Sequence, residues 1–535
     1  MGSNALPYLP NTGGMAQFQL SQFGGYDHRI GAQNGTIWDM ENLTGEHYPV
    51  LSSRPPRHTV QTVTKANGLY CAGKLFLVDG TTLYVDGQAA GTLEDSEKTM
   101  QGMSGRVVIW PDKKIYTREG ELEELEASYS AAGLVFGDGT YAGQEAKANS
   151  ITTTGAAFPF KVGDGVTITG CTAQPENNKT PIVREISEDG KTLRFYENTF
   201  TLPEEAESVT ETGTVTLARE VPDLDFICAN ENRLWGCKGD TIWCSKLGDP
   251  YNWNVFEGVS TDAYSVETGT PGDFTACVSF LGYPIFFKED KIFKVYGDRP
   301  TNFQVMSSAT LGVMAGSHKS MAVAGETLYY LARVGIVAYS GGIPRDISAP
   351  FGDARYKNAA AGSDGTKYWV SMENIESGEH TLFCYDSQAG AWWKEDGTEL
   401  VQAGYLDGLY ALTPSALLLL GRPVAIPDGA VQEGAFKSMV EFGDITMDVF
   451  DSKYPVRLRL RLASAPGATV AAEIQYDSSG EWEMVETAQS ERMRPFYLAV
   501  PVKRCDHFRL RLSCNGAWDL WSMAVELYDG QYVRK

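Results

Sequence analysis

Thr241–Gly258, with the sequence TIWCSKLGDPYNWNVFEG, is the stretch that decides the fold of this chain. It begins with four β-forming residues, turns at Gly248-Asp249-Pro250 and ends in aromatic residues. Another short strand, Asn232–Cys237, precedes it and is closed by the turn Lys238-Gly239-Asp240. This arrangement predicts one blade of a β-propeller, because it combines two short strands, a Gly-Asp turn, a third run and a cluster of aromatic side chains.

Most of the chain repeats this unit at intervals of about 35 to 45 residues, which is the period of propeller blades. The first blades are predicted in residues 61–120, and the remaining ones in residues 219–432, for a total of six or seven. Strands that alternate only weakly between apolar and polar residues fit blades that are packed on both faces. The repeats are Leu69–Gly87, Arg106–Gly120, Phe226–Phe256, Phe274–Met306, Ser320–Ser348, Ala360–Glu395 and Val401–Leu420.

The repeat is interrupted in residues 121–218, where we predict a small inserted β-domain. This segment has 16 Asp and Glu residues against 6 Lys and Arg residues, so it carries −10 of the net charge of −23. Short β-forming runs flank a turn at Asp189-Gly190. At its start, Glu119–Ala132 is rich in helix-forming residues and predicts a short acidic helix.

A C-terminal β-sandwich is predicted in residues 433–535, where the strands become longer and alternate strictly between apolar and polar residues. In Val456–Leu462 every second residue is apolar, and Phe508–Leu512 repeats the pattern. The alternation predicts an outer face lined with arginine, either as an ordinary solvated surface or as a docking interface for an acidic neighbour. The candidate interface residues are Arg457, Arg459, Arg461, Arg509 and Arg511.

Trp243, Trp253 and Phe256 are predicted to be structural aromatics that close the core of their blade. The alternative is that five tryptophans of the blades form a platform for sugar rings: Trp235, Trp243, Trp253, Trp392 and Trp393. The N-terminal arm, residues 1–60, has two possible roles. It adds a strand to the last blade and closes a ring, or it lies along a neighbouring subunit.

Composition limits the possible functions. A net charge of −23 argues against a nucleic-acid-binding surface, because such a surface needs clustered Lys and Arg to bind the phosphates. The same charge suits the wall of a conduit through which DNA slides without binding. The nine cysteines are odd in number and lack a CxxC motif, which predicts free buried thiols in a reducing compartment. Met1–Pro10 does not resemble a secretory signal, and no apolar run approaches the ~20 residues that span a bilayer. We therefore expect synthesis in a cytoplasm and no membrane insertion.

Motifs for catalysis are missing from the sequence. It contains no phosphate-binding GxxxxGK[ST], no HExxH and no GxSxG, and none of the six histidines has a partner four residues away. Carboxylates are plentiful, but no pair can be given acid and nucleophile roles from sequence. Ser363-Asp364-Gly365 and Ser478–Trp482 only faintly match the turn motif of glycosidase propellers. The expectation is therefore that the chain is not an enzyme and has no catalytic residue, metal or cofactor.

Four runs resemble bacteriophage tail proteins, in particular the tail-nozzle or packaged-DNA stabilisation proteins of short-tailed phages. They are FGGYDHRIGAQNGTIWDMENLTGEHYPVLSSRPPR near the start, SKLGDPYNWNVFEG with the following SFLGYPIFFKEDKIFKVYG, EGAFKSMVEFGDIT, and AVPVKRCDHFRLRLSCNG. Together these cover about three-fifths of the chain; the acidic segment 121–218 is not matched.

The resemblance implies a structural virion protein located in the phage tail. It would be made in the host cytoplasm and form a homo-oligomeric ring, with six copies expected. The ring would extend the DNA channel beneath portal and adaptor proteins, retain or guide packaged DNA, and carry fibre or spike proteins. Double-stranded DNA would pass through transiently and without sequence specificity. Two alternatives stay open: a carbohydrate-binding or glycoside-hydrolysing β-propeller, and a tail-tip protein of a long-tailed phage.

Overall fold

A computed structural model describes residues 15–29, 36–446 and 453–529. The predicted fold class is confirmed: the chain is all-β, with seven blade sheets, an inserted β-domain and a C-terminal β-sandwich. The described residues form two compact units, an internal unit (Lys65–His318) and a terminal unit (Met1–Thr64 with Lys319–Lys535). Met1–Pro10, in which no secretory signal was expected, lies outside the described residues.

The internal unit contains four blades, each a four-stranded antiparallel meander. The strands of blade 1 are Ala66–Cys71, Leu75–Asp79, Thr82–Val85 and Gln88–Thr92, and those of blade 2 are Thr99–Met103, Arg106–Trp110, Lys114–Tyr116 and Leu122–Glu124. Blade 3 consists of Phe226–Asn230, Arg233–Lys238, Thr241–Cys244 and Tyr264–Glu267, and blade 4 of Ala276–Phe280, Tyr283–Lys288, Lys291–Tyr296 and Gln304–Ala309. The first strands of consecutive blades lie side by side, as the inner strands of a propeller do.

The cores of this unit lie between consecutive blades, so each blade buries both faces. In the second strand of blade 2, Val107 and Ile109 pack towards blade 1, whereas Val108 and Trp110 pack towards blade 3. Because successive side chains of a strand point to opposite faces, a strand buried on both sides needs a continuous apolar run. This explains the weak alternation of the blade sequences.

The insert is a six-stranded sheet between blades 2 and 3. Its strands are Ala127–Tyr141, Gln144–Thr152, Thr167–Thr169, Glu185–Ile186, Thr192–Arg194 and Ser208–Arg219, and a 3-10 turn spans Pro175–Asn177. It has its own core, which includes Phe136, Ile151, Phe195 and Leu217.

The predicted acidic helix at Glu119–Ala132 is wrong. Leu122–Glu124 is instead the outer strand of blade 2, and Ala127–Tyr141 is the longest strand of the insert. Ala127 pairs with Arg219, so the partner of this segment lies more than 90 residues away in sequence. Long-range strand pairing has overridden the local helix propensity.

The terminal unit contains three further blades and the two sheets of the sandwich. Blade 5 consists of Ala322–Ala324, Thr327–Ala332, Gly335–Tyr339 and Arg345–Asp346, and blade 6 of Tyr356–Ser363, Lys367–Asn374, His380–Asp386 and Ala391–Lys394. Blade 7 consists of Gln402–Tyr405, Leu409–Leu412, Ala416–Leu420, His58–Thr62 and Val431–Gln432. Short 3-10 turns occur at Pro300–Asn302 in the internal unit, at His318–Ser320, and at Ala349–Phe351 in this unit.

The N-terminal arm supplies strands to this unit. His58–Thr62 pairs with Ala416–Leu420 and completes blade 7, which was one of the two roles considered for the arm. The arm also joins both sheets of the sandwich. Sheet I contains Met15–Leu20, Leu43–Thr44, Leu51–Ser53, Trp518–Asp529, Lys453–Ser464 and Arg494–Ala499; sheet II contains Ile37–Glu41, Lys437–Phe442, Phe508–Asn515, Val470–Tyr476 and Glu483–Ala488.

Candidate functional site

The five predicted interface arginines lie on two different sheets. Arg457, Arg459 and Arg461 belong to sheet I, whereas Arg509 and Arg511 belong to sheet II. The alternating leucines of both strands are buried between the sheets, so the arginines point outwards on opposite sides of the sandwich. The structure therefore does not bring the five together on one face, as a single arginine-lined surface would require.

Most of these arginines are already paired within the chain. Arg457 places Nη1 3.3 Å from Oε2 of the buried Glu526, and Arg459 also pairs with this carboxylate. Arg511 Nη2 lies 2.8 Å from Oε2 of Glu441. The exposed Arg461 is the one of the set without an ion pair to any described residue.

Arg509 also has partners inside the chain. Its Nε lies 2.5 Å from Oδ1 of Asp444, and its guanidinium stacks over Trp38. Arg461 is therefore the residue most available to an external partner.

The three predicted structural aromatics have different environments. Trp253 is 3% exposed and packs edge-on against Trp110 in the core between blades 2 and 3. Trp243 is only half-buried. Phe256 is 61% exposed and does not fill the core, which corrects the prediction for this residue. The backbone N–H groups of Glu257, Gly258 and Val259 all donate to Asp262 Oδ2, and this turn directs the chain outwards.

The loop that follows Cys244 is fixed to blade 3 by a buried arginine. Arg233 donates from its guanidinium to the carbonyl oxygens of Ser245, Ser260 and Asp262, at 2.9, 2.7 and 2.6 Å. A guanidinium that donates to three backbone carbonyls, two of them buried, holds both ends of the loop at once. The loop within the decisive stretch is therefore a rigid platform.

The same platform holds the root of the inserted sheet. Asn252 donates from Nδ2 to Asp164 Oδ1 (3.1 Å) and accepts from the N–H of Gly165 (2.9 Å). The other carboxylate oxygen of Asp164 binds Arg219 Nη1 at 2.6 Å, and both charged side chains are buried. The loop of the insert at Asp164-Gly165 and, through Asp164, the exit crossing at Arg219 are thus tied to blade 3.

A cleft of about 750 Å³ opens at this root, entirely within the internal unit. Two tryptophans, four carboxylates, two cations and several hydroxyl and amide groups line it. The blade residues are Lys113, Glu124, Trp243, Trp253 and Asn254; the residues at the root of the insert are Glu126, Ala127, Ser128, Thr216, Ala218, Arg219, Glu220, Val221, Pro222 and Asp223.

Lys113 bridges two of these carboxylates. Its Nζ lies 2.7 Å from Glu126 Oε1 and 2.8 Å from Asp223 Oδ1, so the two oxygens are no more than about 5.5 Å apart. Hydrogen bonding to Lys113 lowers the pKa of Asp223. Burial alone would lower the pKa of Lys113, but hydrogen bonds to Asp223 and Glu126 outweigh it and raise the pKa. Asp223 and Lys113 are therefore charged at neutral pH, and Lys113 holds the side chains of Glu126 and Asp223 close together.

Sequence reasoning identified two of the lining residues, Trp243 and Trp253, and missed the charged ones. Lys113, Glu126 and Asp223 are separated by up to 110 residues, so no local motif contains them. The signal available was the acidic composition around the predicted insert. It indicated the segment but not which carboxylates meet.

Across residues 15–29, 36–446 and 453–529, no group of three or more His, Cys, Asp or Glu side chains is placed to hold a metal ion. Within the same ranges, no helix is long and apolar enough to cross a membrane. Asp364, in the turn Ser363-Asp364-Gly365, accepts hydrogen bonds from the N–H groups of Thr366 and Lys367 and so caps its own hairpin.

No protein-family model and no curated protein sequence matches the chain. Among solved structures, it is similar to an exo-β-1,3-galactanase from Phanerochaete chrysosporium, with 11% identity, a TM-score of 0.20, and coverage of 55% of this chain and 92% of that one. It is also similar to a putative exported protein from Bacteroides fragilis, with 10% identity, a TM-score of 0.25 and coverage of 56% and 95%. A GH32 β-fructofuranosidase from Bombyx mori matches with 11% identity, a TM-score of 0.19 and coverage of 89% and 93%.

These matches overturn the expectation that the chain is not an enzyme. Several of the matched proteins are named as glycoside hydrolases, and the expectation is withdrawn. TM-scores of 0.19 to 0.25 assign no activity to this chain. What is established is a β-propeller protein with an inserted β-domain and a C-terminal sandwich.

Proposed function

We propose that the protein is a structural subunit of a bacteriophage tail, whose blades form a frame and whose sandwich contacts neighbouring tail proteins. One observation carries the proposal. Three of the runs that resemble phage tail proteins supply neighbouring strands of sheet II: Ile37–Glu41 pairs with Lys437–Phe442, which pairs with Phe508–Asn515. Runs separated by about 400 residues in sequence thus build one sheet, so the resemblance concerns a folded body and not scattered matches.

The charge of the chain fits this role. With a net charge of −23, a ring of several copies would repel DNA phosphates over about 8–10 Å and let DNA pass without binding it. The free Arg461 on sheet I is a contact point for an acidic neighbour, which includes another copy of this chain. Portal, adaptor, fibre and spike proteins are the expected partners.

The test uses virions of the phage that encodes the chain. Density-gradient-purified particles should contain it in a fixed ratio to the portal protein, as measured by quantitative mass spectrometry. Negative-stain electron microscopy of the purified chain should show closed rings with an open centre. Particles that lack the chain would refute a tail role, and a monomer at every concentration would refute the ring.

A second candidate is a carbohydrate-binding or carbohydrate-cleaving propeller. The specific observation that favours it is the cleft at the root of the insert, where the indole of Trp243 lies beside several carboxylates. Glycosidases need two carboxyl groups in distinct protonation states. Release of reducing ends from neutral oligosaccharides measures turnover directly, and its presence would place the second candidate above the first.

A further inference from the structure

The cleft at the root of the insert is not used by the tail proposal. We propose that it binds a neutral oligosaccharide, with one sugar ring on the indole of Trp243 and ring hydroxyl groups donating to the carboxylate of Glu220. The inference deepens the second candidate function and rests on it for the class of ligand, whereas it is independent of the tail proposal.

The shape of the cleft suits a small polar ligand. Its volume of about 750 Å³ lies within the range of small-molecule sites, roughly 300–1,000 Å³. Its walls come from parts of the internal unit that are tied together by the buried Asp164–Arg219 pair and by Asn252. A preformed site loses little entropy when a ligand binds.

Trp243 is the side chain most suited to stack on a sugar. Its cross-strand neighbours are Gly236 and the exposed Ser265, so the strands on either side place no large side chain beside the indole. The indole packs against the hydrophobic cluster between blades 2 and 3, which includes Leu224, but among the described residues it makes no ring-stacking contact, cation–π contact or hydrogen bond. Trp235, by contrast, packs against Phe286 and Phe303. A half-buried aromatic face at the wall of a polar cleft offers apolar contact to the flat side of a pyranose.

The charges of the cleft select against anions. Glu124, Glu126, Glu220 and Asp223 outnumber its two cations, and Arg219 is engaged by Asp164. Lys113 is likewise engaged, by Glu126 and Asp223. Lys114 pairs with Glu124 at 3.2 Å and Lys238 lies 3.8 Å from Asp223, so Glu220 is the lining carboxylate that has no ion pair among the described residues. A phosphate or uronate group would therefore meet the uncompensated charge of Glu220, whereas hydroxyl groups would find an acceptor there.

Glu220 supplies the free acceptor. It is exposed at the cleft, and it makes no ion pair or side-chain hydrogen bond with the described residues. The N–H of Val221, the next residue, donates to Glu126 Oε1 at 3.3 Å, which fixes the backbone beside it. Glu220 can therefore bind a ligand without giving up a contact in the protein.

The experiment measures binding to the full chain by isothermal titration calorimetry and saturation-transfer NMR. The neutral probes are N-acetylchitotetraose, cellotetraose and maltotetraose, and tetragalacturonate is the anionic comparison. We expect at least one neutral probe to bind with a Kd of about 1 mM or tighter, and tetragalacturonate to bind at least tenfold more weakly. Trp243→Ala should weaken binding at least tenfold, and Glu220→Gln should weaken it several-fold.

Trp482→Ala is the matched control, because Trp482 is also half-buried but lies in the sandwich, over Arg511. It should leave the affinity unchanged. Glu220→Gln alters an exposed side chain, so it keeps the test valid if Trp243→Ala fails to fold. If the chain binds neutral probes but neither cleft variant weakens binding, the cleft assignment fails and the carbohydrate function stands. If no neutral probe binds at about 10 mM, both the cleft assignment and the carbohydrate function fail. If tetragalacturonate binds as tightly as the neutral probes, the proposed ligand class is refuted.

Discussion

Arg57 places Nη2 2.7 Å from Oε2 of Glu395, although 338 residues separate the two along the chain. Both side chains are removed from solvent. Arg57 Nη1 also binds Thr398 Oγ1 and Asp396, and Trp369 donates Nε1 to the second oxygen of Glu395 at 3.1 Å. This buried polar cluster fixes the N-terminal arm at the point where its next residues enter blade 7.

Removal of Arg57 should destabilise the protein strongly. Arg57→Ala leaves the buried carboxylate of Glu395 and the half-buried carboxylate of Asp396 with Arg54 as their cation, at 3.7 and 3.5 Å. Loss of one partner from a buried ion pair costs about 3–5 kcal/mol of the free energy of unfolding. Arg29→Ala is the control, because Arg29 and Asp27 form an exposed pair worth at most about 1 kcal/mol. Denaturant unfolding measures both, and equal losses would contradict the role assigned to Arg57.

The same cluster predicts acid sensitivity. Burial pushes the pKa of Asp396 up, but Arg57, Thr398 and Arg54 outweigh it and hold the pKa below its usual value; the pKa of Glu433 is also lowered, chiefly by Arg54. A group whose pKa is lowered in the folded protein makes its full contribution to stability at any pH above its unfolded pKa of about 4. That contribution is lost as the pH falls through the folded pKa. The difference in melting temperature between wild type and Arg57→Ala should therefore narrow as the pH falls below about 4. A constant difference in scanning calorimetry would exclude this linkage.

The strand His58–Thr62, which completes blade 7, should be needed to keep the neighbouring strand Ala416–Leu420 ordered. Thr59 pairs with Leu418 on one side and with Val431 on the other, so His58–Thr62 is an internal strand at this point. Thr59→Pro removes a backbone donor from the ladder, which sheets tolerate only at edges or bulges. Hydrogen exchange of Ala416–Leu420 should become faster in this variant. Thr59→Ala keeps the donor and should leave the exchange rate unchanged; equal acceleration by both would assign the effect to the side chain.

The blade pattern could be predicted from sequence because it is local. Thr241–Cys244 forms the strand expected there, and short strands joined by tight turns leave a repeat that is visible within some 40 residues. Partners far apart in sequence leave no such trace. Ala127–Ala132 alternates between half-buried and exposed residues, which is a strand pattern, but the helix-forming glutamates before it suggested a helix. What decided the outcome was pairing with Ser208–Arg219, and this is not encoded nearby.

The candidate sites show the same division. The alternation of Val456–Leu462 predicted buried leucines, and Leu458 and Leu460 are indeed buried. It did not predict that Arg457 and Arg509 would fall on opposite sheets, since sheet membership depends on which distant strand each one joins. The cleft combines residues from a hairpin of blade 2, both crossings of the insert and the loop of blade 3. Trp243 stood out as an aromatic residue, but the carboxylates beside it become recognisable only once these elements meet.

Trp253 and Phe256, two aromatics of the Pro250–Phe256 turn, should differ sharply in their contribution to stability. Trp253 is buried against Trp110 and donates Nε1 to the carbonyl of Pro250 at 2.9 Å. Trp253→Ala should therefore cost about 3–5 kcal/mol through loss of apolar contact and an unfilled cavity. Phe256→Ala removes an exposed ring and should change stability by no more than about 0.5 kcal/mol. Denaturant unfolding measures the stability of both variants. A large loss of stability in Phe256→Ala would restore the core role that the sequence predicted for Phe256.

Arg461 offers the cleanest test of the proposed contact surface. Replacing Arg457 and Arg459 as well would leave Glu526 buried without a cation, so a triple alanine variant confuses docking with folding. Arg461→Glu reverses one exposed charge and breaks no ion pair among the described residues. If an acidic neighbour docks on sheet I, this variant should keep its melting temperature but lose incorporation into tails, with Arg461→Lys incorporated normally because it keeps the charge. Mass spectrometry of purified virions measures incorporation, and normal incorporation of Arg461→Glu would remove this part of sheet I from the contact surface.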